Sequence, residues 1–255
     1  MTEPENVLRI LAIGDLHGKN CWQSVEFDQY DRVVFLGDYV DSLHHSDEEI
    51  LGNLLAVIEL KKSMPEKIIL ILGNHDSHYL YYPKYSCSGF RPIMQESLSE
   101  IFHQHQDLFQ VAYQVKNHLF SHAGISMPWY QKFQSFLEIA PFMENLDDWD
   151  SISELCNAVE KTHYRDIIHQ IGAKRGGSEE YGGMTWADKE ELWDHPLEGY
   201  HQVVGHTPVP FIEATSYNED TSVTFVDVLG SNEVYYEIEI PLSTDNYNPT
   251  GVRIE

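Results

Sequence analysis

An α/β fold built on a largely parallel sheet is what this sequence predicts. Three short apolar runs, at residues 7–13, 32–36 and 67–72, each end in glycine followed by a polar residue, as buried strands do where they leave a sheet. A pattern of helical spacing fills the gap between the second and third runs. The resulting order of strand, crossover, strand, helix, strand is that of βαβ units, whose strands lie parallel.

The helix is expected over 47–63, where Ile50, Leu54, Leu55, Ile58 and Met64 recur at helical intervals. Asp47, Glu48 and Glu49 place negative charge at its positive end. A second helix is expected over 93–106, and 110–115 with 118–121 read as a strand pair turned at Lys116-Asn117. Residues 128–170 read as mostly helical and without evident chemistry, and the glycine-rich 174–183 as a loop. Further strands are expected at 202–204, 211–215, 222–228 and 233–240, the last three resembling an antiparallel meander. Residues 245–255 read as a surface tail. With no repeat and no low-complexity linker, one domain over 1–255 is expected, carrying a mostly helical insertion at about 126–183.

Composition narrows the function. At 255 residues and 42% hydrophobic, the chain can bury a sizeable core. No apolar run approaches the roughly 18 residues of a membrane span. Residues 1–7 lack the basic-then-apolar order of a signal peptide. Cys21, Cys87 and Cys156 stand far apart, giving neither a disulfide framework nor a paired metal spacing. The one asparagine with a threonine two residues on, Asn248, is followed by Pro249 and is no glycosylation acceptor. A cytoplasmic protein without a membrane partner is therefore expected. The formal charge of −25 argues against a duplex nucleic-acid surface, which is basic, and repels anions at long range. With six arginines in the chain, a site that handles phosphate would take much of its positive charge from metal ions.

Five segments carry candidate chemistry: Gly14-Asp15-Leu16-His17-Gly18, Gly37-Asp38-Tyr39-Val40-Asp41, Gly73-Asn74-His75-Asp76, Ser121-His122-Ala123-Gly124 and Gly205-His206-Thr207-Pro208. Singly each is weak, because Gly-Asp after a strand usually marks a turn and a lone histidine there is usually a loop residue. Five in one order, all at strand ends, are not explained as turns. Carboxylate, imidazole and amide oxygen together suit a borderline divalent ion better than calcium, which prefers oxygen alone.

These segments resemble the signature blocks of the calcineurin-like metallophosphoesterases. The nearest branch is that of the bacterial and phage phosphoprotein phosphatases and the diadenosine polyphosphate hydrolases. Gly183-Met184-Thr185-Trp186-Ala187-Asp188 resembles the tryptophan-containing block of the same branch. The resemblance implies a four-layer α/β/β/α sandwich of two mixed sheets flanked by helices. It implies two divalent metal ions, manganese foremost, with iron, zinc or nickel as alternatives. Asp15 and His17 would bind the first, Asn74, His122 and His206 the second, and Asp38 would bridge them. The implied reaction is in-line attack on a phosphate ester by a hydroxide held between the metals. His75 would not be a ligand but the general acid, oriented by Asp41.

Three departures concern the substrate clamp. Ser42 stands where the branch usually has arginine, Asp76 where it usually has glutamate, and Lys189 follows the tryptophan block where an arginine is expected. Arg91 and Arg175, both in glycine-containing loops, are the candidates to replace the missing phosphate grip. His44 and His45 are expected to face solvent, and Tyr79, Tyr81, Tyr82 and Tyr85 to pack. The leading expectation is a phosphoesterase, in the form of a Ser/Thr protein phosphatase-like phosphomonoesterase acting on a phosphoprotein or small phosphoester. A dinucleoside polyphosphate or nucleotide phosphodiesterase is the alternative within the family. A non-catalytic metal-binding scaffold is the alternative outside enzymes, and the intact ligand set with His75 and Asp41 argues against it.

Overall fold

The computed structural model describes residues 7–139 and 149–242. The expected tail at 245–255 and part of the expected insertion, 140–148, lie outside the described residues. Strands β1 (Val7–Ile13), β2 (Arg32–Phe35), β3 (Ile68–Ile71) and β4 (Phe109–Gln110) run parallel in one sheet. A second sheet holds β5 (Ala112–Val115), β6 (His118–Ser121), β7 (His201–Val204), β8 (Glu213–Asn218) and β9 (Thr221–Phe225), in the order β5-β6-β7-β9-β8. The chain then crosses back, and β10 (Tyr236–Pro241) pairs antiparallel with β1. The α-helices among the described residues are α1 (Asp47–Ser63), α2 (Asn74–Leu80), α3 (Gln95–His105), α4 (Met127–Ile139), α5 (Ile152–Glu160) and α6 (Lys189–Asp194), with short 3-10 turns between elements. This is the mixed α/β architecture of two sheets flanked by helices that the sequence implies.

Alternation along the strands builds the layers. Ile10 and Ala12 of β1 join Val34, Ile69, Phe120 and Val203 in an apolar cluster between the sheets. Leu11 and Ile13 point the other way, packing with Ile50, Leu54, Val57 and Ile58 of α1. Strands buried on both faces read as unbroken apolar runs, which is why β1 to β3 were legible. The start of α1 is set by a reciprocal cap. The Glu49 N–H donates to Ser46 Oγ at 3.3 Å, and the Ser46 N–H donates to Glu49 Oε2 at 2.7 Å.

The late strands differ from the expected meander. β9 pairs antiparallel with β8 but parallel with β7, and β10 belongs to the other sheet. The burial of each strand gives the reason. Val223 and Phe225 of β9 are buried, and Val226 just beyond it faces the inter-sheet core, so β9 takes an interior place with neighbours on both sides. In β10 the apolar Ile238 and Ile240 alternate with exposed Glu237 and Glu239, which suits an edge strand closing the core beside Ile10. Among the described residues, no helix is long and apolar enough to cross a membrane.

Candidate metal centre

The carboxyl ends of β1, β2, β3, β6 and β7 deliver Asp15, Asp38, Asn74, His122 and His206 to one edge of the two sheets, where open parallel sheets bind ligands. The approach is so close that two neighbours must be glycine. A Cβ on Gly73 would lie 2.1 Å from Asp38 Oδ1, and one on Gly205 would lie 2.2 Å from Asp15 Oδ1. His17, Asp38, Asp41 and His206 adopt φ of 44°, 50°, 57° and 64°. Left-handed backbone at non-glycine residues is strained, and such strain gathers where side chains must be aimed.

Ligand atoms face one another here with fewer protons than contacts. His122 Nδ1–H donates to the Leu36 carbonyl at 2.7 Å, so its Nε2 is bare. That nitrogen lies 2.9 Å from Asn74 Oδ1 and 3.1 Å from His206 Nδ1, which is itself 2.9 Å from Asn74 Oδ1. A proton on His206 can bridge one of these contacts, but the contact between His122 Nε2 and Asn74 Oδ1 leaves lone pair against lone pair. Ligands at about 2.1 Å from a common ion and at right angles stand about 3.0 Å apart, so the trio fits a divalent cation. His17 repeats the arrangement: Nδ1–H donates to the Val40 carbonyl at 2.9 Å, and Nε2 stands 3.7 Å from Asp38 Oδ2. Asp38 Oδ2 is also 3.5 Å from His122 Nε2. Two donor groupings, His17 with Asp38 and His75, and Asp38 with His122 and His206, therefore share Asp38. Asp15 reaches the same place through its oxygens, which accept the His206 N–H at 3.0 and 3.2 Å.

Charge supports the same reading. Burial holds His17 and His122 below the ordinary imidazole range, and His206 well below it, in the neutral form that binds metal. Burial opposes ionisation of Asp38, yet the histidines around it, His122 foremost, hold its carboxyl well below the usual range. Burial, then Asp227 and Asp38, push Asp15 well up. Carboxylates crowded in this way gain most from a cation among them.

His75 sits one residue into α2. Its Nδ1 makes a 2.8 Å bond to Asp41 Oδ2, and its Nε2 lies 4.0 Å from Asp38 Oδ2. Asp41 is braced from the other side by the Tyr79 hydroxyl, which donates to Oδ1 and accepts from the Arg91 N–H. Burial disfavours a charged His75, but Asp38 and Asp41 outweigh it and hold the imidazole well above its ordinary range.

The family model of the calcineurin-like phosphoesterases matches residues 8–234. The chain belongs to that family. Its likeness to individual proteins is more distant. The serine/threonine-protein phosphatase PP2A-like PPG1 of Candida albicans is 38% identical over 73 residues, 27% of this chain and 17% of that protein. The crystal structure of a cold-active protein-tyrosine phosphatase from a psychrophilic Shewanella shares the fold with a TM-score of 0.54. Its sequence identity is 16%, covering 88% of this chain and 72% of that one.

In this calcineurin-like phosphoesterase the two candidate clamp arginines go to different places. Arg91 pairs with Asp47 at 3.0 Å and donates to the His45 carbonyl at 3.0 Å, stapling the 42–46 loop to the start of α1. Arg175 pairs with Asp188 at 2.8 Å and donates to Thr207 Oγ1, close enough for its charge to bear on His206. His44 and His45 border a hollow of about 490 Å³ that also touches His17, Lys19, Ser42 and His75. The tyrosine run packs only in part: Tyr79 is fully buried and Tyr81 donates to Glu160, whereas Tyr82 stacks on Phe90 but stays 48% exposed.

Two residues of the site escaped the sequence reading. Asp76 was noted only as a departure, yet its carboxylate accepts the N–H groups of Gly73, Asp38 and Tyr39 at 2.8 to 2.9 Å, tying the second block to the third. Asp227, buried beside Asp15, follows β9 as the other candidates follow their strands. The same strand-end signal marks it. Reading β9 as part of a meander hid that its end points to this edge.

Proposed function

We propose that this calcineurin-like phosphoesterase is a phosphomonoesterase of the protein-phosphatase kind, with His75 as its general acid. The observation that carries the reading is the 2.8 Å bond from His75 Nδ1 to Asp41, which leaves Nε2 facing the Asp38 side of the site. Asp15 and His17 would hold one divalent ion, Asn74, His122 and His206 a second, and Asp38 both, within the single domain and its 126–183 insertion expected from sequence. When bound, such ions supply positive charge for phosphoryl oxygens and acidify water near neutral pH. Asp41 fixes the His75 tautomer and supports the imidazolium, and Nε2 gives its proton to the departing oxygen. Arg175, held by Asp188 and Thr207 beside His206, grips a phosphoryl oxygen in place of the arginine that Ser42 replaces. Arg91 acts indirectly, by fixing the loop that carries His44 and His45. Lys19 and that loop receive the leaving group in the adjoining hollow.

Leaving-group chemistry tests this. An alkoxide needs a proton and p-nitrophenolate barely does. His75→Asn should keep its metals, lose about 10²–10⁴-fold on an alkyl phosphate and lose little on p-nitrophenyl phosphate. Equal loss on both substrates, or loss of an ion, would remove His75 from the acid role. Arg175→Ala should raise KM on both, and an unchanged KM would leave phosphate binding to the metals. Bis(p-nitrophenyl) phosphate turned over faster than the monoester would favour the diesterase alternative.

A further inference from the structure

Behind the His75–Asp41 pair lies a thiol that the proposed reaction does not use. Cys87 Sγ stands 3.5 Å from His75 Nδ1, 3.9 Å from Asp41 Oδ2 and 3.4 Å from His78 Nδ1. Asp41, His75 and Cys87 each place a ligand atom within 4.8 Å of the others. A tetrahedral zinc ion with thiolate at about 2.3 Å and imidazole at about 2.1 Å holds those two atoms about 3.6 Å apart, close to the observed sulfur–nitrogen spacing. His75 and Asp41 also line the hollow, together with Ser88 and Gly89, which follow Cys87 in the chain. An ion in the hollow therefore meets His75 and Asp41 directly, with the buried sulfur 3.5 Å behind His75 Nδ1.

We propose that Cys87, His75 and Asp41 form a separate, inhibitory site for a thiophilic divalent ion, zinc by its ligand chemistry. The inhibitory part of this proposal rests on the reading of His75 as general acid. Binding displaces two protons to solvent, one from the Cys87 thiol and one from His75 Nδ1, and leaves a fourth position for water. The 2.8 Å bond between His75 and Asp41 opens by about half an ångström to ligand spacing. Burial pushes the Cys87 thiol up, so it stays protonated until an ion that binds sulfur strongly takes the proton's place. Manganese and magnesium prefer oxygen donors and leave this site empty. With Nδ1 on the ion, His75 keeps only the Nε2–H of an uncharged ring and no longer serves as an imidazolium donor. The ligands assigned to the main centre are all nitrogen or oxygen, so sulfur separates the two sites spectroscopically.

The test adds cobalt(II) to the manganese-loaded enzyme and reads the near-ultraviolet thiolate-to-cobalt charge-transfer band. Wild type should develop the band. Cys87→Ser should not, while keeping manganese-dependent hydrolysis of p-nitrophenyl phosphate as proof of fold. Cys87→Ala serves as a second variant, and Cys156→Ala should keep the band. Zinc should slow wild-type hydrolysis of an alkyl phosphate at least tenfold and leave Cys87→Ser unaffected. No band in wild type at saturating cobalt, or a band and zinc inhibition surviving in Cys87→Ser, would overturn the site. A Cys87-dependent band with zinc slowing alkyl and aryl esters equally would uphold the site and overturn His75 as the acid.

Discussion

Of the six non-glycine residues with positive φ among the described residues, four, His17, Asp38, Asp41 and His206, surround the proposed centre. Left-handed backbone costs an ordinary residue roughly 1–2 kcal/mol relative to glycine. His17→Gly and His17→Ala remove the same imidazole and differ mainly in that cost. The glycine variant should melt about 2–4 °C higher for each kcal/mol relieved. Equal melting temperatures would show that position 17 is not strained. The ligand candidates were legible at this scale because each stands directly after an apolar run that ends in a turn. Cys87 was not, since a lone cysteine in a loop reads as a small buried hydrophobe until its neighbours are known. Arg91 and Arg175 could not be separated from sequence, because both lie in similar loops and only tertiary contact sends one to Asp47 and the other to Thr207.

At the scale of elements, α1 matched its expected bounds because its cap is written locally in Ser46 and Glu49. α2 was missed, since Asn74 and His75 read as strand-end ligands and the tyrosines after them mask the helical spacing. Its first turn carries Asp76, whose three backbone donors join β2 to β3. Burial, then Asp38, push Asp76 up to about 8 and Asp227 up to about 7. Both folded values exceed the ordinary carboxylate value of 3.8, so the folded metal-free protein keeps protons that the unfolded chain has released. These two groups therefore lose stability as pH rises, and the net fall should show between about pH 6.5 and 8, above the range in which the lowered His17, His122 and His206 contribute the opposite slope. Divalent ions lower these carboxyl values and should flatten the slope. Melting temperatures measured from pH 5 to 8 with a chelator, and again with manganese, check this. A rise between about pH 6.5 and 8 under chelation would contradict it.

Over the whole molecule, two sheets bring strand ends from residues 15 to 206 to one edge, and that convergence was legible because parallel strands share a carboxyl side. The partnering of β9 and β10 was not, because which face each strand buries depends on the opposite sheet. The net charge of −25 surrounds a site meant for anions. For a multiply charged phosphopeptide, kcat/KM should rise several-fold between about 10 and about 150 mM salt, as the screening length shrinks from about 30 to about 8 Å. A fall with salt would mean that local cations dominate the approach. The central claim is a two-ion centre joined by Asp38, and metal content measured beside turnover tests it most directly. Wild type purified with manganese should hold two ions per chain. Asp38→Asn should hold at most one and hydrolyse p-nitrophenyl phosphate at least about a hundredfold more slowly. Two ions and undiminished turnover in Asp38→Asn would contradict the account.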